Sequence, residues 1–295
     1  MAEQEKMRQS VNIVKVEGWV NKKTLEEKTG DDGKEYISGT VEIRTSETNI
    51  VPIELFSYKF TKEGKENSVY KGMQTIIKEY VAATDVSKWQ DADKVRVTTG
   101  FIRSNDFIGR NDNEIHTRVK YSSNFINRVT DDSFEPKSVF SCEVIFSGDR
   151  EETKEDDSTG RGFLDCFCVD YNGKINPVSF IVPEKYWGKI QGELEKGETI
   201  IVHGDIVSNS ETKTITIEMD FGEDEERVIT RTVKERLIKG VKRVEDEKAY
   251  KAKDFKKALQ QRQKDLESLK TKEQFEAKET KDDNIIFDES DDLPF

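Results

Sequence analysis

The chain sets short strands of period two on both sides of a single helical segment, and it does so twice. Alternating in–out side chains with turns at close spacing build antiparallel sheet, which leaves the lone helix to cover one end. In the first block, residues 11–20 put Val14, Val16, Gly18 and Val20 on one face, with the glycine where a strand can bend. Residues 29–33 form a turn, and residues 36–45 and 50–60 pair as a hairpin across Ser46-Glu47-Thr48-Asn49. Residues 69–81 space Met73, Ile76, Ile77 and Tyr80 at helical intervals, and strands at 94–103 and 115–129 follow. Three strands, a helix and two strands is the order of a five-stranded Greek-key barrel of the oligonucleotide-binding (OB) type.

The second block repeats that order. A strand over 138–147 precedes a hairpin, 162–169 with 174–182, around Tyr171-Asn172-Gly173, and Asn-Gly between apolar runs is a strong turn signal. A short helix follows over 183–194 with Pro183 at its start. Strands over 199–207 and 212–219 come next, then a strand or strand pair over 227–244. The pattern G-x-I-x-S-N, at Gly100-Phe101-Ile102-Arg103-Ser104-Asn105, recurs at Gly204-Asp205-Ile206-Val207-Ser208-Asn209. The expected class is all-β dominated: two OB-like five-stranded Greek-key barrels, each with a short helix, and a charged, partly helical or disordered C-terminal tail. The expected division is a first barrel over 1–134, a second over 135–245, a linker over 246–281 and an acidic tip over 282–295.

Charge distinguishes the blocks. The net charge of −12 argues against a nucleic-acid partner only if it is spread evenly. It is not: residues 1–134 hold 21 Lys+Arg against 22 Asp+Glu, residues 135–245 hold 16 against 24, and residues 246–295 hold 11 against 14. A basic face can exist in the first block, which is the expected main strand-binding unit. The second carries the acidic runs Glu151-Glu152 and Glu155-Asp156-Asp157, which repel phosphate. Its basic cluster, Arg227, Arg231, Lys234, Arg236, Lys239, Lys242 and Arg243, could clamp phosphates, pair within its own barrel, or hold the acidic tip.

Other classes find little support. Cys142, Cys166 and Cys168 make an odd number without a disulfide framework, which fits a reducing, cytoplasmic setting. No run approaches the roughly 18 apolar residues of a membrane helix, and residues 1–10 lack the apolar core of a secretory signal. Cys166 and Cys168 share a strand face with Leu164 as core, and no further Cys or His pair completes a metal site. No phosphate-cradling glycine loop, nucleophile elbow or paired-acid spacing occurs, so no enzyme, metal or cofactor is expected.

The tail changes character twice. From 245 to 281, Lys, Glu, Ala and Gln dominate, with Ala252, Leu259 and Leu266 seven apart and Phe255 and Leu269 between them. A short amphipathic or coiled-coil helix and a solvated linker both fit that pattern. Residues 282–295 are acidic without a basic residue and close on Asp291-Asp292-Leu293-Pro294-Phe295. An aromatic behind Pro and two carboxylates has the chemistry of a docking peptide for an apolar pocket with a basic rim.

That pentapeptide closely resembles the terminal tip of bacterial and phage single-stranded DNA-binding proteins, in which an OB-fold precedes a variable linker and an acidic tip ending in Ile/Leu-Pro-Phe. The resemblance implies that the tip recruits replication, recombination and repair proteins and competes with DNA for the chain's own basic groove. Two barrel-like blocks depart from the usual bacterial member and point to a phage-encoded or divergent one. The family's tetramer is not carried over, and oligomerisation stays open.

Single-strand binding calls for cations along the backbone and aromatics for base stacking, on strands 2 and 3 of an OB barrel and its flanking loops. In residues 50–60, Ile53 and Leu55 share one parity and Phe56, Tyr58 and Phe60 the other; Lys59 beside Tyr58 favours the second set as the groove face. Tyr36 and Arg44 lie on the paired strand. Arg96, Arg103, Phe107, Arg110, Arg118 and Lys120 add cations and an apolar loop tip, although Phe56, Phe60 and Phe107 could equally close the barrel as core. The expected function is a protein that coats single-stranded DNA and recruits partners. An acidic decoy that uses the tip without binding DNA is the alternative, and a recombination mediator is a weaker one.

Overall fold

The computed structural model describes residues 6–109, 112–155, 157–217, 219 and 225–282. The first barrel is built from β1 (Asn12–Lys23), a short β2 (Glu26–Thr29), β3 (Glu35–Arg44), β4 (Ile50–Tyr58), helix α1 (Ser68–Glu79), β5 (Lys94–Ile108), β6 (Ile115–Ser122) and the two-residue β7 (Asn127–Arg128). Its strands run in the order β1-β3-β4-β6-β5, and β5 returns to β1 to close the barrel. The β4–β6 contact is parallel, with Ile53 opposite Tyr121, and the other contacts are antiparallel. This is the OB topology that the strand–helix–strand order predicts.

Strand alternation supplies the core. Val14, Val16 and Val20 of β1, Ile37, Val41 and Ile43 of β3, and Val51 and Ile53 of β4 have no exposed surface. Helix α1 starts at Asn67, whose side chain accepts the Val69 N–H and satisfies one of the free amides of the first turn. Tyr70, Met73 and Ile76 recur at helical spacing and are buried against that core.

The second barrel repeats the design with β8 (Lys137–Lys154), β9 (Asp157–Val169), β10 (Ile175–Val182), α2 (Glu184–Ile190), β11 (Thr199–Ile217) and β12 (Glu225–Arg243). Its strands run β8-β9-β10-β12-β11, β11 closes on β8, and β10–β12 is parallel at Ile181 and Leu237. A last helix, α3, spans Ala252–Asp282. The two barrels share one sheet because β1 pairs antiparallel with β8. Exchanging the barrels turns the pair Asn12–Cys142 into Ser138–Val16 and leaves Val14–Phe140 in place, which is a pseudo-two-fold arrangement.

The G-x-I-x-S-N echo falls on matching positions. Gly100 lies opposite Val14 of its barrel's first strand, and Gly204 lies opposite Phe140 of its own. A Cβ at Gly100 would meet the Val14 carbonyl oxygen at 2.9 Å, and one at Gly204 would meet that of Leu237 at 1.8 Å. Both sites therefore admit only glycine. The isoleucines that follow, Ile102 and Ile206, are buried.

Strand one of each barrel also buries a carboxylate. Glu17 is 1% exposed and receives Arg96 at 2.7 and 2.9 Å and the Glu135 N–H at 2.9 Å. Glu143 is 5% exposed and receives Arg8 at 2.5 and 2.6 Å. Burial pushes both carboxyls up, but the paired guanidinium and a backbone N–H, from Glu135 or Val11, more than offset it, so both lie below the usual carboxylate range.

Three expectations need correction. The strands expected at 199–207 and 212–219 are one strand, because Ser208, Asn209 and Ser210 stay in register with Lys234, Val233 and Thr232 of β12. Over 227–244 the first of the two expected alternatives, a single strand, is what forms, as β12. The strand expected to run to 129 ends at Ser122, and Pro183 caps α2 from outside its first turn.

Candidate nucleic-acid interface

Register puts the aromatic residues of β3 and β4 side by side. Tyr36 lies opposite Tyr58 and Ser38 opposite Phe56, while Ile37, Ser57 and Leu55 turn inward. Phe56 and Tyr58 are 48% and 45% exposed, so this face is not core. The Phe56 and Tyr58 rings are 5.0 Å apart and edge-on, Tyr36 is 5.5 Å from Phe56, and Tyr36 is 6.2 Å from Tyr58. Exposed rings at this spacing offer π-faces to successive bases. Phe60, just past the strand end, is 50% exposed, with Lys59 Nζ 5.7 Å from its ring.

The β5–β6 hairpin extends the same face. Arg103 pairs with Lys120, Asn105 with Arg118 and Phe107 with His116, and directly opposed residues of alternate parity share one side of a sheet. Phe107 is 41% exposed, with its ring 5.7 Å from His116, whose Nε2 lies 2.7 Å from Asp112. Where the hairpin meets β4, a groove of about 430 Å³ is lined by Phe56, Phe101, Arg103, Glu54 and Asn124, among others.

Two kinds of cation line this surface. Lys59 bonds Glu35 at 2.6 Å, which raises its pKa, and Lys120 bonds Glu54 at 2.5 Å. Arg103 and Arg118 form no ion pair or hydrogen bond among the described residues. They are the cations free to meet an incoming anion.

The structure does not bring every expected residue to this face. Arg96 lies across the barrel, held by Glu17 and by Ser133. Arg44 is eight residues along β3 from Tyr36, roughly 26 Å at strand rise; it bonds Asn21 and the Glu47 carbonyl and sits over Trp89. Sequence parity alone could not reveal either engagement, because both partners lie on other segments. Arg110 and the tip residues Asp291, Asp292, Leu293, Pro294 and Phe295 lie outside the described residues. A groove residue missed by sequence reading is Phe101, whose parity with Arg103 was the available signal.

Barrel 2 treats the corresponding β9–β10 face differently. Helix α3 covers its hairpin end: Phe255 packs with Ile145, Val169 and Ile175, and its ring is 5.8 Å from that of Phe167. Arg262 of α3 reaches Asp106 of barrel 1 at 2.9 Å, and Lys174 bonds Asp265 at 2.7 Å. Further along, the Arg150 guanidinium lies 3.9 Å from the centre of the Phe163 ring. Three members of the basic cluster of β12 are engaged at home, Arg236 on the Ser179 carbonyl, Lys239 on Asp205 and Arg243 on Glu198.

Two OB barrels paired through their first strands, one with an open aromatic face and one whose hairpin end is covered by α3, define a tandem OB-fold protein. The chain matches the YorF family model over residues 10–272 and belongs to the YorF family. No curated protein matches it. It is similar to solved structures of the single-stranded DNA-binding protein from Thermus aquaticus. A deletion variant of that protein is 10% identical, covering 81% of this chain and 97% of that one at a TM-score of 0.47. The wild type is 10% identical, covering 83% and 98% at 0.42. A replication protein A heterotrimer bound to ssDNA is 6% identical, covering 80% and 51% at 0.19.

Proposed function

We propose that this chain binds single-stranded DNA along the outer face of barrel 1 without strong sequence preference. The observation that carries the reading is the cluster of exposed Phe56 and Tyr58 with half-buried Tyr36, ring centres 5.0–6.2 Å apart, beside the cations Arg103 and Arg118. Stacking serves every base, and the arginines serve the backbone. Residues 1–134 act as the main binding unit. Residues 291–295 recruit replication, recombination or repair proteins, a role supported by the resemblance of that pentapeptide to the tip of single-stranded DNA-binding proteins. The working environment is the cytoplasm, and no catalytic step belongs to the reading.

The acidic second block supports a second reading, a decoy that occupies partner pockets through the tip and binds no DNA. Titrating a fluorescent oligo-dT with the full chain at two salt concentrations separates the two. Saturable binding that weakens with salt supports the first reading; no binding at either salt supports the decoy.

A further inference from the structure

The groove beneath Phe56 does not end on barrel 1. Thr40 and Glu54 line it, and they also line a second cleft of about 400 Å³ whose far wall belongs to barrel 2. That wall is the β11–β12 ribbon, which presents Ser210, Thr232 and Lys234. The ribbon is pinned in place by the loop between β3 and β4. Asn49 donates to Ser138 Oγ at 3.0 Å and to the Ile206 carbonyl at 3.3 Å, and it accepts the Ser208 N–H at 2.6 Å. Ser210 N–H reaches the Thr48 carbonyl at 3.4 Å.

The chemistry of the cleft differs from that of the aromatic face. Of its two acids, Glu54 is paired with Lys120 at 2.5 Å, and Glu42 accepts a hydrogen bond from the neutral Asn21 amide at 2.8 Å and keeps its charge, against the cations Arg118 and Lys234. Arg118 on the barrel 1 wall and Lys234 on the ribbon wall line it, and neither has a partner among the described residues. Tyr121 Oη, buried in the barrel 1 wall, has no hydrogen-bond partner there. Burial raises that phenol, and Arg236 offsets part of the rise. No exposed aromatic lines the cleft, so it offers cations and hydroxyls rather than stacking planes.

We infer that this cleft is a second subsite, for the sugar–phosphate backbone of a strand leaving the aromatic face, and that barrel 2 contributes to it through its ribbon. The inference rests on the proposed function of barrel 1. Phosphate and sugar contacts position a strand without reading its bases, which suits paired cations and hydroxyls with no stacking surface. A short strand fills the aromatic face alone, and only a longer one reaches Lys234.

The test is Lys234→Ala in the full chain, titrated with oligo-dT of about 6 nucleotides, within the ~4–16 of a single OB site, and of about 20, beyond it. Binding of the short strand is expected to stay within about twofold of the unmodified chain. Binding of the long strand is expected to fall roughly threefold to tenfold, and its salt slope to drop by about 0.7, the value of one phosphate contact on a single strand. Unchanged long-strand binding and slope, with both lengths still bound, would overturn the subsite while leaving the function standing. Equal weakening of both lengths would also overturn it, because Lys234 would then act through the fold or the general field. If the unmodified chain binds neither length, the proposed function fails, and the subsite fails with it.

Discussion

Barrel 1 and barrel 2 share strand order, helix position and a buried glutamate on strand one, yet their outer faces differ: rings stand open at the end of β3–β4 away from its turn, whereas a helix covers the turn end of β9–β10. Barrel 1 leaves Phe56 and Tyr58 open, with the half-buried Tyr36 ring beside them, and both tyrosines carry a hydroxyl that tolerates water. Barrel 2 places Val169 and Ile175 on its face, and these need cover, which Phe255 of α3 supplies. The glutamates differ too. The guanidinium on Glu17 comes from its own barrel, Arg96, with Glu135 N–H and Lys137 of β8 adding to it, whereas that on Glu143 comes from Arg8 of the N-terminal segment, with Tyr250 3.5 Å away. Barrel 2 is thus completed by segments outside its strands. One topology can leave aromatic rings open or mount the chain's own flanking segments, and the outer residues decide which.

The largest effect that would test this contrast is expected at Phe255. Phe255→Ala should cost about 3 kcal/mol of stability, at the lower end for a buried aromatic because the cluster is a satellite of the main core. Hydrogen exchange should quicken in β9 and β10 and not in β3 and β4. Oligo-dT affinity should stay unchanged; a rise would mean that α3 hides a second binding face and that the barrels are alike after all.

Arg8→Ala comes next. It leaves the Glu143 carboxylate without its guanidinium, and the loss should be about 2 kcal/mol, less than for a fully buried pair because the Arg8 side chain is 46% exposed. Urea denaturation with a matched Arg96→Ala variant extends the comparison to Glu17. If Arg96→Ala weakens oligo-dT binding by more than its unfolded fraction explains, Arg96 belongs to the interface and its assignment to Glu17 alone is wrong.

Much of the open face is legible in the sequence because period two survives translation into strands. Phe56, Tyr58 and Phe60 sit opposite Ile53 and Leu55 in parity, and the structure exposes the first set and buries the second. The internal engagement of Arg96 and Arg44 is not legible, because their partners, Glu17 and Asn21, come from β1 and meet them only on barrel closure. Ser208-Asn209-Ser210 reads as a break between strands, since its polar run is explained only by the other barrel's Asn49. The seven-residue spacing of Ala252 and Leu259 admits a helix and a solvated linker alike, and the structure forms the helix. Its apolar contact, through Phe255, Ala258 and Leu259, depends on a barrel surface that the tail's own sequence cannot describe.

A smaller effect separates binding from stability. Tyr58→Ala should weaken oligo-dT binding by about 1–3 kcal/mol, the range for one stacked base, and leave the denaturation midpoint nearly unmoved because the ring is 45% exposed. Unchanged affinity with native circular dichroism would remove the face from the binding reading.

The gentlest test is acid titration. Glu17 and Glu143 have folded pKa values below the usual carboxylate range, so their contribution to stability is present above the unfolded value near 4.3 and declines as pH falls through the folded values. Glu17→Gln and Glu143→Gln should each flatten part of that decline. A curve unchanged in both variants would show that neither carboxylate is held as described.

The β1–β8 pairing joins two barrels that belong to one chain, with only residues 129–136 between β7 and β8. Contact between separate subunits follows mass action and is lost on dilution, whereas a short tether holds its partner at an effective concentration in the millimolar range or above. The inter-barrel cleft is therefore as complete in a single molecule at trace abundance as in a concentrated solution, and its assembly has no threshold to cross.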